Sequence, residues 1–147
     1  MENKRKISIL VPYILEEREV SVYLQKRSKN AKRLPDYFGF FGGGAEGDER
    51  PEEALRREMQ EEIAFIPEGY AFFKEYDFER SIKSIFLLKV DRGFEQKVTV
   101  LEGEYGRWFT EQEALMERKL IDEDKIVLRD LYEFCGQGNK HKKYHEA

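Results

Sequence analysis

The stretch GGGAEGDERPEEALRREMQEEIAF, residues 42 to 65, sets eight carboxylates directly behind three glycines. Like charges crowded onto one segment repel, and a helix gains nothing from them. The segment is therefore either a solvated face or one that something positive completes. Its second half reads as a helix over 51–63, with Asp48 as N-cap, Pro51 in the first turn, and Glu52 and Glu53 complementing the N-terminal dipole. At about 100° per residue, Leu55, Met59 and Ile63 form one apolar stripe. Glu58, Glu61 and Glu62 share an arc beside it, with Glu62 at the border and the small Ala54 inside the arc. Three partly shielded carboxylates in so short a span repel more strongly than a surface pair. A hard divalent cation relieves this, since Mg²⁺ takes carboxylate oxygens and bridges to substrate phosphates. The competing reading is a charged solvent face laced by Arg57–Glu61 and Arg56–Glu52 pairs. Gly42 to Gly44 end a strand and admit close backbone approach to a ligand, but no Gly-Lys-Ser/Thr follows, so this is no P-loop.

The rest of the chain reads as one domain. A length of 147 residues suffices for a single core, and a formal net charge of -4 leaves no basic footprint for a nucleic acid polymer. Cys135 is the only cysteine, which excludes an intrachain disulfide and reads as a buried or half-buried structural thiol. Glu16 and Glu17 cut short the apolar run near the start, which reads as a strand rather than a leader, and no membrane span is present. A soluble, reducing, cytoplasmic setting is expected.

Residues 6–17 and 19–28 predict an antiparallel hairpin around a charged turn, the second strand alternating Val20, Val22 and Leu24 against polar neighbours. Residues 37–41 predict a short aromatic strand stopped by the glycines, and 70–78 and 81–90 two more strands. Residues 91–96 read as a turn, and 97–109 as a strand, a bend and a strand. Thr110 and Glu113 form a capping-box pattern opening a helix. Residues 122–135 predict a last amphipathic helix burying Ile126, Leu128, Leu131 and Phe134. The expected domain covers 1–134, with 135–147 a flexible tail carrying His141, Lys142 and Lys143. The fold class is α/β, a mixed sheet with helices on its faces.

Gly43, Glu49 and then Arg57-Glu58-Met59-Gln60-Glu61-Glu62-Ile63-Ala64-Phe65 resemble the Nudix box, GX5EX7REUXEEXGU, with U a bulky apolar residue. Every defined position matches except Ala64, which stands where the family has Gly. A left-handed residue is expected there, costing Ala on the order of 1 kcal/mol unless the helix runs on. Phe41 stands where many relatives have Pro, which bears on the loop path rather than the chemistry. The resemblance extends over roughly 5–134 and implies the Nudix fold, an α/β/α sandwich with a mixed β-sheet and a catalytic loop-helix-loop.

What the resemblance implies is hydrolysis of a nucleoside diphosphate linked to another group, with Mg²⁺ or, alternatively, Mn²⁺. Glu58, Glu61 and Glu62 match the metal-binding glutamates, and the Gly42 carbonyl matches a backbone metal ligand of the MutT branch. Arg57 matches the arginine that orients the glutamates, and Glu49 the glutamate paired with it. Glu102 fits the loop acid that serves as ligand or general base, with Glu104 its competitor. Tyr37, Phe38, Phe40 and Trp108 either stack on a base or belong to the core. Asp122, Glu123 and Asp124 either accept from a purine edge or complement a helix dipole, the dipole role being favoured.

The expected reaction converts a nucleoside triphosphate, such as an oxidised purine triphosphate, to monophosphate and pyrophosphate. Glu79 stands where the ADP-ribose group has Pro, and Ser81 and Ile82 where the diadenosine polyphosphate group has Tyr. A nucleotide-sugar or dinucleotide hydrolase stays open. A non-catalytic ligand sensor fits poorly, because the box carboxylates are retained. An isoprenoid diphosphate isomerase would need a Cys upstream of the box, and Cys135 lies far downstream. A homodimer through an exposed strand edge is also open.

Overall fold

The computed structural model describes the backbone of residues 4–146 and the side chains of 4–136. Eleven elements follow one another: β1 (Arg5–Glu16), β2 (Glu19–Lys26), β3 (Phe38–Gly39), β4 (Phe41–Gly44), α1 (Pro51–Ile63), β5 (Ala71–Asp77), β6 (Ser81–Lys89), α2 (Phe94–Lys97), β7 (Tyr105–Thr110), α3 (Glu111–Met116) and α4 (Asp122–Glu146). They form one mixed sheet of order β3-β2-β1-β6-β5, with β4 added to β1 and β7 to β2. Helices cover both faces, so β1 and β6 pair in parallel, Ile9 opposite Ile85, as buried strands do. Alternation along β1 sends Ile9 and Val11 to a core with Val127, Leu128 and Leu131. Leu10 goes to the opposite core with Leu55, Met59 and Ile63. This is the expected α/β/α sandwich, and among the described residues no helix is long and apolar enough to cross a membrane.

The hairpin of β1 and β2 forms as expected, closed by Glu17 and Arg18 at φ 49° and 71°. Its second strand departs from simple alternation. Ser21, Tyr23 and Gln25 are buried along with Val20, Val22 and Leu24, because the sheet is covered on both sides.

The glycines do not stop a strand; they are one. Gly42, Gly43 and Gly44 pair with Ile9, Ser8 and Ile7 of β1. Helix α1 spans 51–63 as expected, but Asp48 does not cap it. Arg50 is the N-cap, and its backbone N–H donates to Glu53 at 2.8 Å. At the other end Ala64 is left-handed, φ 52° and ψ 46°, so the helix does not run on.

Residues 91–96 hold the short helix α2 rather than a plain turn. The strand expected from residue 97 is absent. The Thr99 and Leu101 N–H groups donate to the carbonyls of Ile63 and Glu62 at 3.0 and 2.7 Å. A segment whose donors satisfy a helix C-terminus is not free to pair along a sheet.

Thr110 and Glu113 close the expected capping box of α3. In α4 the buried stripe is Asp124, Val127, Leu128, Leu131 and Cys135. Ile126 and Phe134 are 46% and 52% exposed, against expectation: Ile126 faces away from that stripe, and Phe134 flanks it beside Val127, packed on Phe73. Cys135 is buried as expected, and burial pushes its thiol up to about 12. Helix α4 does not end near 135 as expected but runs on to Glu146, so the backbone of 135–146 continues the helix rather than forming a separate tail; the side chains from 137 on lie outside the described residues.

Relieving the left-handed strain at Ala64 should stabilise the fold. Ala64→Gly is expected to raise the unfolding free energy by about 0.5–1 kcal/mol, read from the midpoint of a urea or thermal melt.

Candidate functional site

Three elements converge on one end of the sheet. Strand β4 lies against α1, and the segment tied to the end of α1 brings Glu102 over both. Glycine is required where the helix side chains arrive. A Cβ at Gly43 would sit inside contact distance of the Glu58 carboxylate, and one at Gly42 would strike the Ser8 carbonyl. Gly42 also has φ 156°. The missing side chain at Gly43 lets Glu58 reach onto the strand.

Arg57 organises the acids around it. Its Nε and Nη2 donate to the two oxygens of Glu49 at 2.8 and 3.0 Å, a forked pair. Nη1 reaches Glu58 at 2.9 Å and Glu61 at 3.3 Å, and Nη2 donates to the Gly44 carbonyl at 2.9 Å. The guanidinium pulls the Glu49 carboxyl down to about 2, helped by the Glu46 N–H. The same carboxylates raise Arg57 above its ordinary value. The i,i+4 pair from Arg57 to Glu61 is thus present, whereas Glu52 accepts from the Tyr70 hydroxyl at 2.8 Å.

Glu62 is a different kind of acid. It is 5% exposed, accepts from the Gly42 N–H at 3.1 Å, and has the Gln25 amide at 3.5 Å. Burial pushes its carboxyl up to about 9, with Glu58 and Glu102 adding to the rise and the Gly42 N–H opposing it. Burial also raises Glu102, followed by the charges of Glu58 and Glu61. Glu104 turns elsewhere and accepts from the Lys29 N–H at 3.3 Å. Of the two loop acids, Glu102 alone joins the α1 glutamates.

These side chains open on a cleft of about 1020 Å³. Glu58, Glu62, Glu102, Phe38, Phe40 and the start of α4 all line it. Phe38 and Phe40 are largely buried, and Trp108 packs on Tyr23, so these aromatics serve the core as well. Asp122, Glu123 and Asp124 do stand in the first turn of α4, where the dipole favours them. Two of them do more: Lys83 bonds Glu123 at 3.2 Å and Asp124 at 3.3 Å, and Asp124 is buried.

The sequence reading missed Gln25 and Lys83. Gln25 donates to the Phe40 carbonyl at 3.1 Å, beneath Glu62. The available signal was a polar side chain in an otherwise apolar strand, a charged one in the case of Lys83 in SIKSIFLLKV.

The donor set suits a hard divalent cation. It is all oxygen, and it includes a buried carboxylate with no cation in contact and two further acids nearby. Among the described residues, however, no three acidic side chains stand close enough to hold an ion. Glu58 and Glu61 are drawn instead to Arg57.

A family model for the NUDIX domain matches residues 4–131. The 8-oxo-dGTP diphosphatase of Escherichia coli is 30% identical over 108 residues, 72% of this chain and 81% of the relative. Among solved structures, a MutT from a study of Aliivibrio salmonicida and Vibrio cholerae superposes with a TM-score of 0.69 at 21% identity, covering 88% of this chain and 98% of that one. A mutT/nudix family protein from Listeria innocua gives 0.73 at 17% identity over 100% of both chains. The NUDIX domain of Shewanella oneidensis NrtR, complexed with ADP ribose, gives 0.70 at 15% identity, covering 90% and 89%. These structures show the shared fold.

A carboxyl held at about 9 in the folded chain and at 4.5 when unfolded binds a proton that the unfolded state has released between those values. Stability therefore falls as pH rises through that window. In the metal-free protein at pH 8, Glu62→Gln is expected to raise the melting midpoint by about 3 °C or more. The advantage should shrink toward pH 5, as followed by circular dichroism with a chelator present.

Proposed function

Because the chain belongs to the NUDIX domain family, in its MutT-like branch, and is therefore a hydrolase of nucleotide diphosphate bonds, we propose that its substrate is a nucleoside triphosphate, cleaved to monophosphate and pyrophosphate. An oxidised purine triphosphate is the leading candidate, supported by the 8-oxo-dGTP diphosphatase activity of the Escherichia coli relative. The observation that carries this reading is the shared cleft. The α1 glutamates and the acids that open α4 line one space, so a diphosphate at one end leaves the base at the other.

In this scheme Glu58, Glu61, Glu62 and the Gly42 carbonyl would hold Mg²⁺ or Mn²⁺. A divalent ion held there would supply neutralisation of the negative charge on the phosphoryl group. Arg57 holds Glu58 and Glu61 in place, and Glu49 holds Arg57 through the forked pair. Glu102 takes the proton of the attacking water at its carboxylate. Burial and the charges of Glu58 and Glu61 raise its basicity, which suits that role. Phe38 and Phe40 give the base an apolar wall. Asp122 and Glu123 accept from its exocyclic amino groups. The catalytic unit is 1–134, with the end of α4 running on beyond it through the buried Cys135.

A nucleotide sugar or dinucleotide is the second reading, favoured by a cleft of about 1020 Å³. That volume stands at the upper end of small-molecule sites, roughly 300–1,000 Å³.

The test is product analysis with Mg²⁺ on canonical and oxidised deoxynucleoside triphosphates, ADP-ribose, nucleotide sugars and diadenosine polyphosphates. Monophosphate plus pyrophosphate from one triphosphate is expected. Glu61→Gln should lower kcat by about 100-fold or more. Glu102→Gln should cost far more activity than Glu104→Gln. Turnover of only a sugar nucleotide or dinucleotide would replace the substrate assignment.

A further inference from the structure

Two functional side chains close on β4 from opposite faces. Gly43 gives its place to the Glu58 carboxylate, and the next residue, Gly44, gives its place to Arg5. The Arg5 Nε lies 2.9 Å, and its Cζ 3.4 Å, from where a Gly44 Cβ would stand. Successive strand residues face opposite sides, so a single strand of glycine backbone separates the guanidinium from the glutamate. Both side chains line the large cleft.

Of the cations lining the cleft, Lys83 and Arg27 are engaged, as is Arg57 nearby; Arg33 and Arg80 have no side-chain partner among the described residues, and of the unpaired arginines Arg5 is the one whose guanidinium lies against Gly44. Arg57 is held by Glu49, Glu58 and Glu61. Lys83 is held by Glu123 and Asp124. Arg27 donates through Nε to the Arg33 carbonyl at 3.0 Å. Arg5 is exposed and takes part in none of the side-chain hydrogen bonds or ion pairs among the described residues. Its backbone alone is fixed, by pairing with Ser81 of β6 and by its N–H donating to the Arg80 carbonyl at 3.4 Å. A guanidinium held over glycine, open to the cleft and one strand from the glutamates, is placed to receive an anion.

We propose that Arg5 is a substrate-contacting residue whose guanidinium binds a non-bridging phosphate oxygen of the substrate across β4 from Glu58, in a place that Gly44 keeps clear. The inference rests on the hydrolase reading for where the diphosphate sits, but its test reads binding directly. The Gly44 backbone has no positive φ, so a side chain can be introduced there without backbone strain.

Calorimetric titration of α,β-methylene-dGTP and of inorganic pyrophosphate, each with Mg²⁺, is run on the full chain and four variants. Arg5→Ala is expected to weaken binding by about 10- to 100-fold, the range of one charge-assisted contact, and to flatten the salt dependence of the affinity. Arg5→Lys should recover part of the loss. Gly44→Val, which keeps the arginine but takes its place, should weaken binding as Arg5→Ala does. Arg5→Ala with Gly44→Lys should regain most of it, because the lysine returns a cation to the same space. Thermal melts confirm folding and should shift little, since Arg5 is exposed.

Unchanged affinity in Arg5→Ala would overturn the proposal, as would a loss that neither lysine variant restores, or wild-type protein that binds neither probe. Turnover assays on dGTP and 8-oxo-dGTP separate the two readings. Arg5-dependent binding without turnover removes the triphosphate assignment and keeps the contact. Turnover with the same KM in Arg5→Ala removes the contact and keeps the assignment.

Discussion

A carboxylate buried beside other carboxylates is the constraint around which this molecule is arranged. Glu62 is nearly inaccessible, and Glu58 and Glu102 stand close enough to raise its carboxyl further. Such a group costs several kcal/mol in its charged form unless something positive meets it. The chain supplies partial compensation: one backbone N–H from Gly42, and one amide at longer range from Gln25. Everything nearby serves to hold that acid where it is. The apolar stripe of α1 anchors the helix through Leu55, Met59 and Ile63, all fully buried. The segment after α2 is tied to the carbonyls of Ile63 and Glu62, which brings Glu102 into the same space.

Arg57 and the glycine strand solve the two problems that such a cluster creates. The guanidinium gathers Glu49, Glu58 and Glu61 and is fixed in turn by the Gly44 carbonyl, so the acids are oriented before any ligand arrives. The three glycines let side chains on α1 and β1 approach a paired strand that would otherwise carry its own Cβ atoms into them. Compactness here comes from what β4 lacks. Substituents at 42, 43 and 44 would each meet a different neighbour: a carbonyl, a carboxylate and a guanidinium.

Much of this was legible in the chain. The spacing of Gly43, Glu49 and the Arg57 to Glu62 run carried the family, and helical periodicity placed Glu62 at the edge of the buried stripe. The hairpin and the capping box of α3 followed from local patterns. The errors share a cause. The glycines were read as a terminator because their β propensity is low, yet pairing with β1 overrides it. The apolar residues from 98 to 101 were read as a strand, but their donors were claimed by the end of α1. Ile126 and Phe134 were read as core because they are apolar. The register of α4 was set instead by Val127, Leu128 and Leu131 against the sheet.

Local chemistry therefore determined which residues are helical, which are strand, and which carboxylates belong together, since these depend on neighbours a few positions apart. Distant segments decided the rest. Glu102 rather than Glu104 faces the glutamates because the loop is pinned between α1 and the Lys26 carbonyl. Gln25 lies beneath Glu62, and Lys83 meets Asp124, across separations of 37 and 41 residues. Arg5 comes to rest on Gly44 only because β1 and β4 pair in one register. Contacts of that kind arise from how the sheet is ordered and covered, and no short window of the sequence contains both partners.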